Sequence, residues 1–182
     1  TRNGRFFFTA ALALALAASG CSRDHVSAAP DSSSPEWFTD RAAAAGLDFV
    51  HDNGMSGHRY IAEIIAPGVA LFDYDNDGDL DVFFPQGRPL GGHAGAGASS
   101  SPIARKPGGR LYRNDLKIDP DGTRHLHFTD VTEESGIATI GYGMGVATGD
   151  FDNDGCTDLY VTNLGRNQLF RNNCDGTFTD VS

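Results

Sequence analysis

The nine-residue string DYDNDGDLD at 73–81 returns as DFDNDGCTD at 150–158, and no other feature constrains the fold of this chain as tightly. Each copy places carboxylates at positions one, three, five and nine, with glycine at position six. These are Asp73, Asp75, Asp77 and Asp81 with Gly78, then Asp150, Asp152, Asp154 and Asp158 with Gly155. Four carboxylates this close repel one another unless a cation lies between them. Hard oxygen ligands on a flexible loop suit Ca²⁺, and the glycine permits the tight turn that points them inward. The backbone carbonyls of Asp79 and Cys156, at position seven, complete the expected shell. Asn76 and Asn153, at position four, read as turn residues rather than ligands.

The flanks exclude an EF-hand. That loop needs a bidentate Glu at position twelve and a helix on either side. Position twelve is Phe84 in one copy and Val161 in the other. GVALF (68–72) and GVATG (145–149) precede the loops, and LDVFF (80–84) and TDLYV (157–161) follow them. Short runs rich in Val, Leu, Phe and Tyr around a turn predict strand, loop, strand.

The repeat extends beyond the loops. LYRND (111–115) corresponds to LFRNN (169–173), and HFTDVTEESGI (127–137) to TFTDVS (177–182); WFTDRAAAAGL (37–47) is a further version of the last element. The unit is a loop between two strands, then a strand like LYRN, then one like FTDV. Four short antiparallel strands make one propeller blade. The first unit is longer because it holds PQGRPLGGHAGAGASSSPIARKPGG (85–109), a Gly/Ser/Pro-rich hairpin insertion, and LKIDPDGTRHL (116–126), which lengthens the next hairpin.

These strings resemble the FG-GAP/VCBS repeat of integrin alpha-subunit propellers. Over about residues 37–182 the ordered series FVHDNG, YIAEIIAPGVALFDYDNDGDLDVFF, LYRND, FTDVTEESGI and GMGVATGDFDNDGCTDLYVTNLGRNQLFRNN is similar to the bacterial relatives of cartilage acidic protein, the ASPIC/UnbV-type family. The resemblance implies a seven-bladed β-propeller with Ca²⁺ in blade loops, and no general catalytic activity. The expected fold class is therefore all-β, a partial propeller of about two four-stranded blades. The chain begins at Thr1 without Met and stops at Ser182 inside a repeat, which reads as an amino-terminal fragment of a longer protein.

Ahead of the repeats, Arg2 and Arg5 precede an apolar stretch from Phe6 to Ala18. It is too short to span a bilayer comfortably, and small residues follow, as in a secretory signal over 1–20. LAASGC (16–21) resembles a lipobox with Cys21 as the lipidated residue, although Ala18 stands where Leu is commoner; the other reading is an ordinary signal peptide with Cys21 incidental. Residues 21–36 would then be a flexible stalk. Export permits a disulfide. Placing Val161 opposite Leu169 across NLGRN puts Cys156 opposite Cys174 in the same register, within bridging reach; two free thiols near a metal loop are the alternative.

The 24 acidic residues against 14 basic ones give a net charge of −10, and no basic patch points to nucleic acid. His51 and His58 flank NGMSG, and His125 and His127 share one strand face; each is a weak metal pair, better read as a self-bonded loop and an exposed hairpin. GYGMG (141–145) lacks the spacing of a phosphate cradle and reads as close packing of inner strands. Trp37, Phe38, Phe128 and Phe178 read as core between blades. The functional expectation is a Ca²⁺-stabilised, non-enzymatic binding or adhesion module at the cell surface. Its ligand would be a protein or glycan, and it would touch the membrane only through a lipid anchor. The alternatives are an enzyme whose active site lies in missing blades and a structural spacer in a surface assembly.

Overall fold

A computed structural model describes residues 38–90 and 107–182. The stretches expected as signal peptide (1–20) and stalk (21–36), with Cys21, Trp37 and the centre of the 85–109 insertion, lie outside the described residues. Residues 40–182 form one compact unit.

Both repeats fold as four-stranded antiparallel sheets. The first holds β1 (Ala70–Phe72), β2 (Asp81–Phe84), β3 (Arg110–Asn114) and β6 (Phe128–Asp130), in that order across the sheet. The second holds β7 (Gly143–Gly149), β8 (Asp158–Asn163), β9 (Gln168–Asn172) and β10 (Phe178–Asp180), again in chain order. The insertion at 116–126 makes a small separate hairpin from β4 (Lys117–Ile118) and β5 (Arg124–His125). Each acidic string is the connection between the first two strands of its sheet, as the flanking Val/Phe/Tyr runs require. The content is nearly all β, consistent with part of a propeller.

The main core lies between the two sheets. Ala70, Phe72, Tyr74, Phe83 and Leu111 of the first repeat meet Leu159, Val161, Phe170 and Phe178 of the second, with Val131 and Ile137 filling the edge. The opposite face of the first sheet carries Val82, Tyr112 and Phe128, which pack on Ala45, Leu47 and Phe49. Phe49 stacks on Phe84 at 4.8 Å between ring centroids, and the Tyr112 hydroxyl donates to Asp48 at 2.7 Å. A sheet covered on both faces has no polar side, which is why β2 reads DVFF without alternation.

Among the described residues the second sheet is covered on one face only. Its equivalents of Tyr74 and Phe83 are Phe151 and Tyr160, displaced by the repeat, and they are 50% and 38% exposed where their counterparts are 4% and 0%. The two repeats are thus related as successive layers of a stack. The FTD segments follow the same rule: Phe128 N–H donates to the carbonyl of Ala45, and Phe178 N–H donates to that of Ser135, each at 2.7 Å. Each turn after an FTD segment therefore holds the FTD strand of the next layer.

Two expectations are corrected, and one element is added. Phe38 is 95% exposed, not core, because no strand lies beside 38–40 among the described residues. Val161 faces Gln168, and Leu169 faces Tyr160, one residue away from the expected register. The cause is Gln168: its buried amide donates to the carbonyl of Ala138 and to Asp180, and accepts from Ile140 N–H, so the strand begins one residue earlier with a polar side chain inside. Finally, Ile61–Ile64 forms one helical turn. Its Glu63 is buried, accepts from Ser56 N–H at 3.0 Å, and lies beside Tyr142, whose hydroxyl donates to the carbonyls of Asn53 and Ala62.

Candidate metal centres

The two acidic loops are built by the same set of hydrogen bonds. Asp73 Oδ1 accepts from Asp77 N–H at 3.1 Å and its Oδ2 from Gly78 N–H at 2.9 Å. Asp150 accepts from Asp154 N–H at 3.1 Å and Gly155 N–H at 3.0 Å. The first carboxylate thus closes the turn over itself. That turn needs left-handed backbone at two places. Asn76 and Asn153 both have φ of 60°, while Gly78 and Gly155 have 92° and 91°. Asparagine tolerates this region and glycine prefers it, so position four serves the turn.

Position nine anchors the loop to the sheet. Asp81 is fully buried at the start of β2 and accepts from Tyr74 N–H at 3.0 Å and Asn114 N–H at 2.8 Å. Asp158 accepts from Phe151 N–H at 2.9 Å and Asn172 N–H at 2.7 Å. Positions one, three and nine then converge: one oxygen from each of Asp73, Asp75 and Asp81 lies within 4.8 Å of the others, and the same holds for Asp150, Asp152 and Asp158. Position five stands apart from these trios. Asp77 and Asp154 each give Oδ1 to the backbone N–H of position seven, Asp79 and Cys156, at 2.9 Å.

The electrostatics fit a hard divalent cation. Asp75 Oδ1 is shut off from water with no hydrogen-bond partner. Desolvation, then the neighbouring Asp77, pushes the Asp75 carboxyl above the usual range. Burial pushes Asp81 up to about 6, against the pull of its two backbone donors, and Asp75 and Asp77 add to the rise. A trio of carboxylate oxygens with one orphaned acceptor is a donor set that lacks a positive charge. These residues would hold the ion at positions one, three and nine, and the ion would supply charge neutralisation.

The second loop carries one feature the first lacks. Cys156 and Cys174 form a disulfide, with their Cα atoms 5.7 Å apart. They are not a directly paired couple of the β8–β9 ladder, since both lie beyond its last pair; Cys174 reaches across with φ of 61°. The Asp154 carboxylate lies within 4.8 Å of both sulfurs. The histidine pairs stay outside these centres. His125 pairs with Asp119 at 2.9 Å on the exposed hairpin, and the 52–58 loop bonds its own backbone through Asp52, Asn53 and Ser56. Gly143 lies so close to Pro85 that a Cβ would meet it at 2.7 Å, so GYGMG is a packing element.

Residues 150–182, from the first aspartate of the second loop through β10, match a family model described as FG-GAP-like repeat. The chain therefore carries an FG-GAP-like repeat, and the first sheet repeats the same topology and loop bonding. No curated protein matches the chain.

Proposed function

We infer that this protein is an exported Ca²⁺-binding propeller of the ASPIC/UnbV type. It acts as a non-catalytic binding or adhesion module at the cell surface, and its ions serve structure. The observation that carries this reading is the identical bonding of two loops, each gathering three carboxylates at the junction of its sheet's first two strands. Without an ion, each trio gathers like charges, and the first adds the desolvation of Asp75 and Asp81; with one, the same charges tie β1 to β2 and β7 to β8. The disulfide supports an oxidising compartment, as does the amino-terminal signal pattern. The ASPIC/UnbV assignment and a seven-bladed ring rest on the order of the motifs along 37–182. The loops at hairpin ends, including the 85–109 and 116–126 insertions, are the surfaces offered to a protein or glycan ligand. Cys21 is the membrane anchor in this account.

The test is thermal melting in Ca²⁺ and in EDTA. An ion held at about 100 times its dissociation constant adds roughly 2.7 kcal/mol per site. For a chain of this size that raises Tm by about 5–10 °C. Asp152→Ala should remove roughly half the gain. Equal melting in both buffers refutes the Ca²⁺ reading.

A further inference from the structure

We propose that the Cys156–Cys174 disulfide makes the second loop a redox-gated Ca²⁺ site, while the first loop, which meets the bridge only through the Asn76 amide donating to Cys156 Sγ at 3.4 Å, responds far less. The proposal rests on the Ca²⁺ reading above and adds a regulatory asymmetry to it. The two loops share the bonds that close the turn and hold position nine, and they differ in the side chain at position seven. The first has Asp79 there, with Leu116 at the counterpart of Cys174; the second has the cystine. The first loop thus carries a fifth carboxylate, and the second carries a covalent tie.

That tie acts directly on the ligand-bearing segment. Cys156 N–H is held by Asp154, and Cys156 is separated by one residue from Asp158, a member of the trio. Across the bridge, Cys174 N–H donates to Asn172 Oδ1, and Asn172 N–H donates to Asp158 Oδ1. The disulfide therefore closes a ring of contacts, Asp158–Asn172–Cys174–Cys156, that fixes the far end of the loop. Cutting it leaves an exposed non-glycine residue, Cys174, in left-handed backbone with nothing covalent to hold it there.

The bridge is also reachable. Cys156 is buried, but Cys174 is exposed and lines an open groove of about 540 Å³ together with Asp75, Arg113 and Asp175. The reductant is a dithiol. Its thiolate attacks Cys174 Sγ, and the electron pair of the S–S bond leaves on Cys156 Sγ, which takes a proton. The second thiol of the reductant then displaces Cys174 from the mixed disulfide. Two electrons and two protons pass to the protein, and the reductant ends as a disulfide.

A loop that is competent for only a minor fraction of the time binds more weakly by that fraction. Populations of about 1–10% give a loss of roughly ten- to a hundredfold in affinity. The experiment is calorimetric Ca²⁺ titration of the full chain, oxidised and after dithiol reduction with alkylation. The same pair of titrations is run on Asp75→Asn/Asp77→Asn, to isolate the second loop, and on Asp152→Asn/Asp154→Asn, to isolate the first. Far-UV circular dichroism in each state checks the sheets.

The expected result is a drop of about ten- to a hundredfold at the second loop and less than about twofold at the first, with the spectrum unchanged. In the chain carrying Cys156→Asp/Cys174→Leu, which rewrites the second loop on the pattern of the first, binding should persist and ignore the reductant. Binding at both loops that reduction leaves unchanged overturns the gating and spares the Ca²⁺ reading. Equal loss at both loops, or loss of the sheet spectrum, also overturns it, because the effect is then global. No Ca²⁺ binding in any form overturns both.

Discussion

The Asn172 side chain donates to the backbone carbonyl of Tyr74 at 2.7 Å, joining the third strand of the second sheet to position two of the first acidic loop. The same amide group donates to the carbonyl of Thr157 at 3.1 Å, and Asn172 N–H holds Asp158. Tyr74 N–H in turn holds Asp81. The buried position-nine carboxylates of the two loops are thus linked through a single asparagine, and each loop is a part of the contact between layers.

Asn172→Ala should cost about 3 kcal/mol in urea denaturation, since it strands two buried carbonyls and frees Cys174 N–H. The equivalent Asn114 has one side-chain donation, to Leu80 at 3.2 Å, so Asn114→Ala should cost about 1 kcal/mol. Equal losses would show that the bond between layers adds nothing.

The stacked repeats give paired core substitutions with opposite outcomes. Phe83 is enclosed between the sheets, and its truncation to Ala should cost about 3–5 kcal/mol. Tyr160, the matching residue one layer on, lies on the open face, and Tyr160→Ala should cost less than about 1 kcal/mol in this chain. Comparable destabilisation would mean that the outer face of the second sheet is covered in solution.

The pH dependence should reverse with Ca²⁺. The folded-state pKa of Asp81 is about 6, raised from 3.8, so the folded form holds this proton more tightly than the unfolded chain does. Its stabilising effect is full below about 3.8 and is lost as pH rises through about 6. Asp75 is shifted in the same direction. In EDTA the protein should therefore melt lower at pH 7.5 than at pH 5. In Ca²⁺ it should melt higher at pH 7.5, since the ion needs the carboxylates ionised. Melting curves at the two pH values, with and without the ion, check the sign.

Much of this architecture was legible because the repeat supplied its own controls. The strands around each loop, the glycine and asparagine turn positions and the Asp73, Asp75 and Asp81 trio all follow from residue type and spacing. The parts that were not legible are those where polar residues are buried. Gln168 looks like a turn residue after NLGRN, yet its three bonds draw it inside and move the register by one. Glu63 and Tyr142 drew no expectation of their own, and they close the packing around 51–65. Phe38 misled for the opposite reason: the FTD pattern is present, but its burial depends on a neighbouring strand. Spacing also put position five, Asp77 and Asp154, among the ligands, whereas its carboxylate accepts from the backbone N–H at position seven.

Diffraction from crystals grown with Ca²⁺, recorded at a wavelength where calcium scatters anomalously, tests the central claim most directly. One peak is expected in each acidic loop, with oxygens of Asp73, Asp75 and Asp81 around one and those of Asp150, Asp152 and Asp158 around the other, at about 2.3–2.6 Å. Maps with water alone between those aspartates at saturating Ca²⁺ would contradict it.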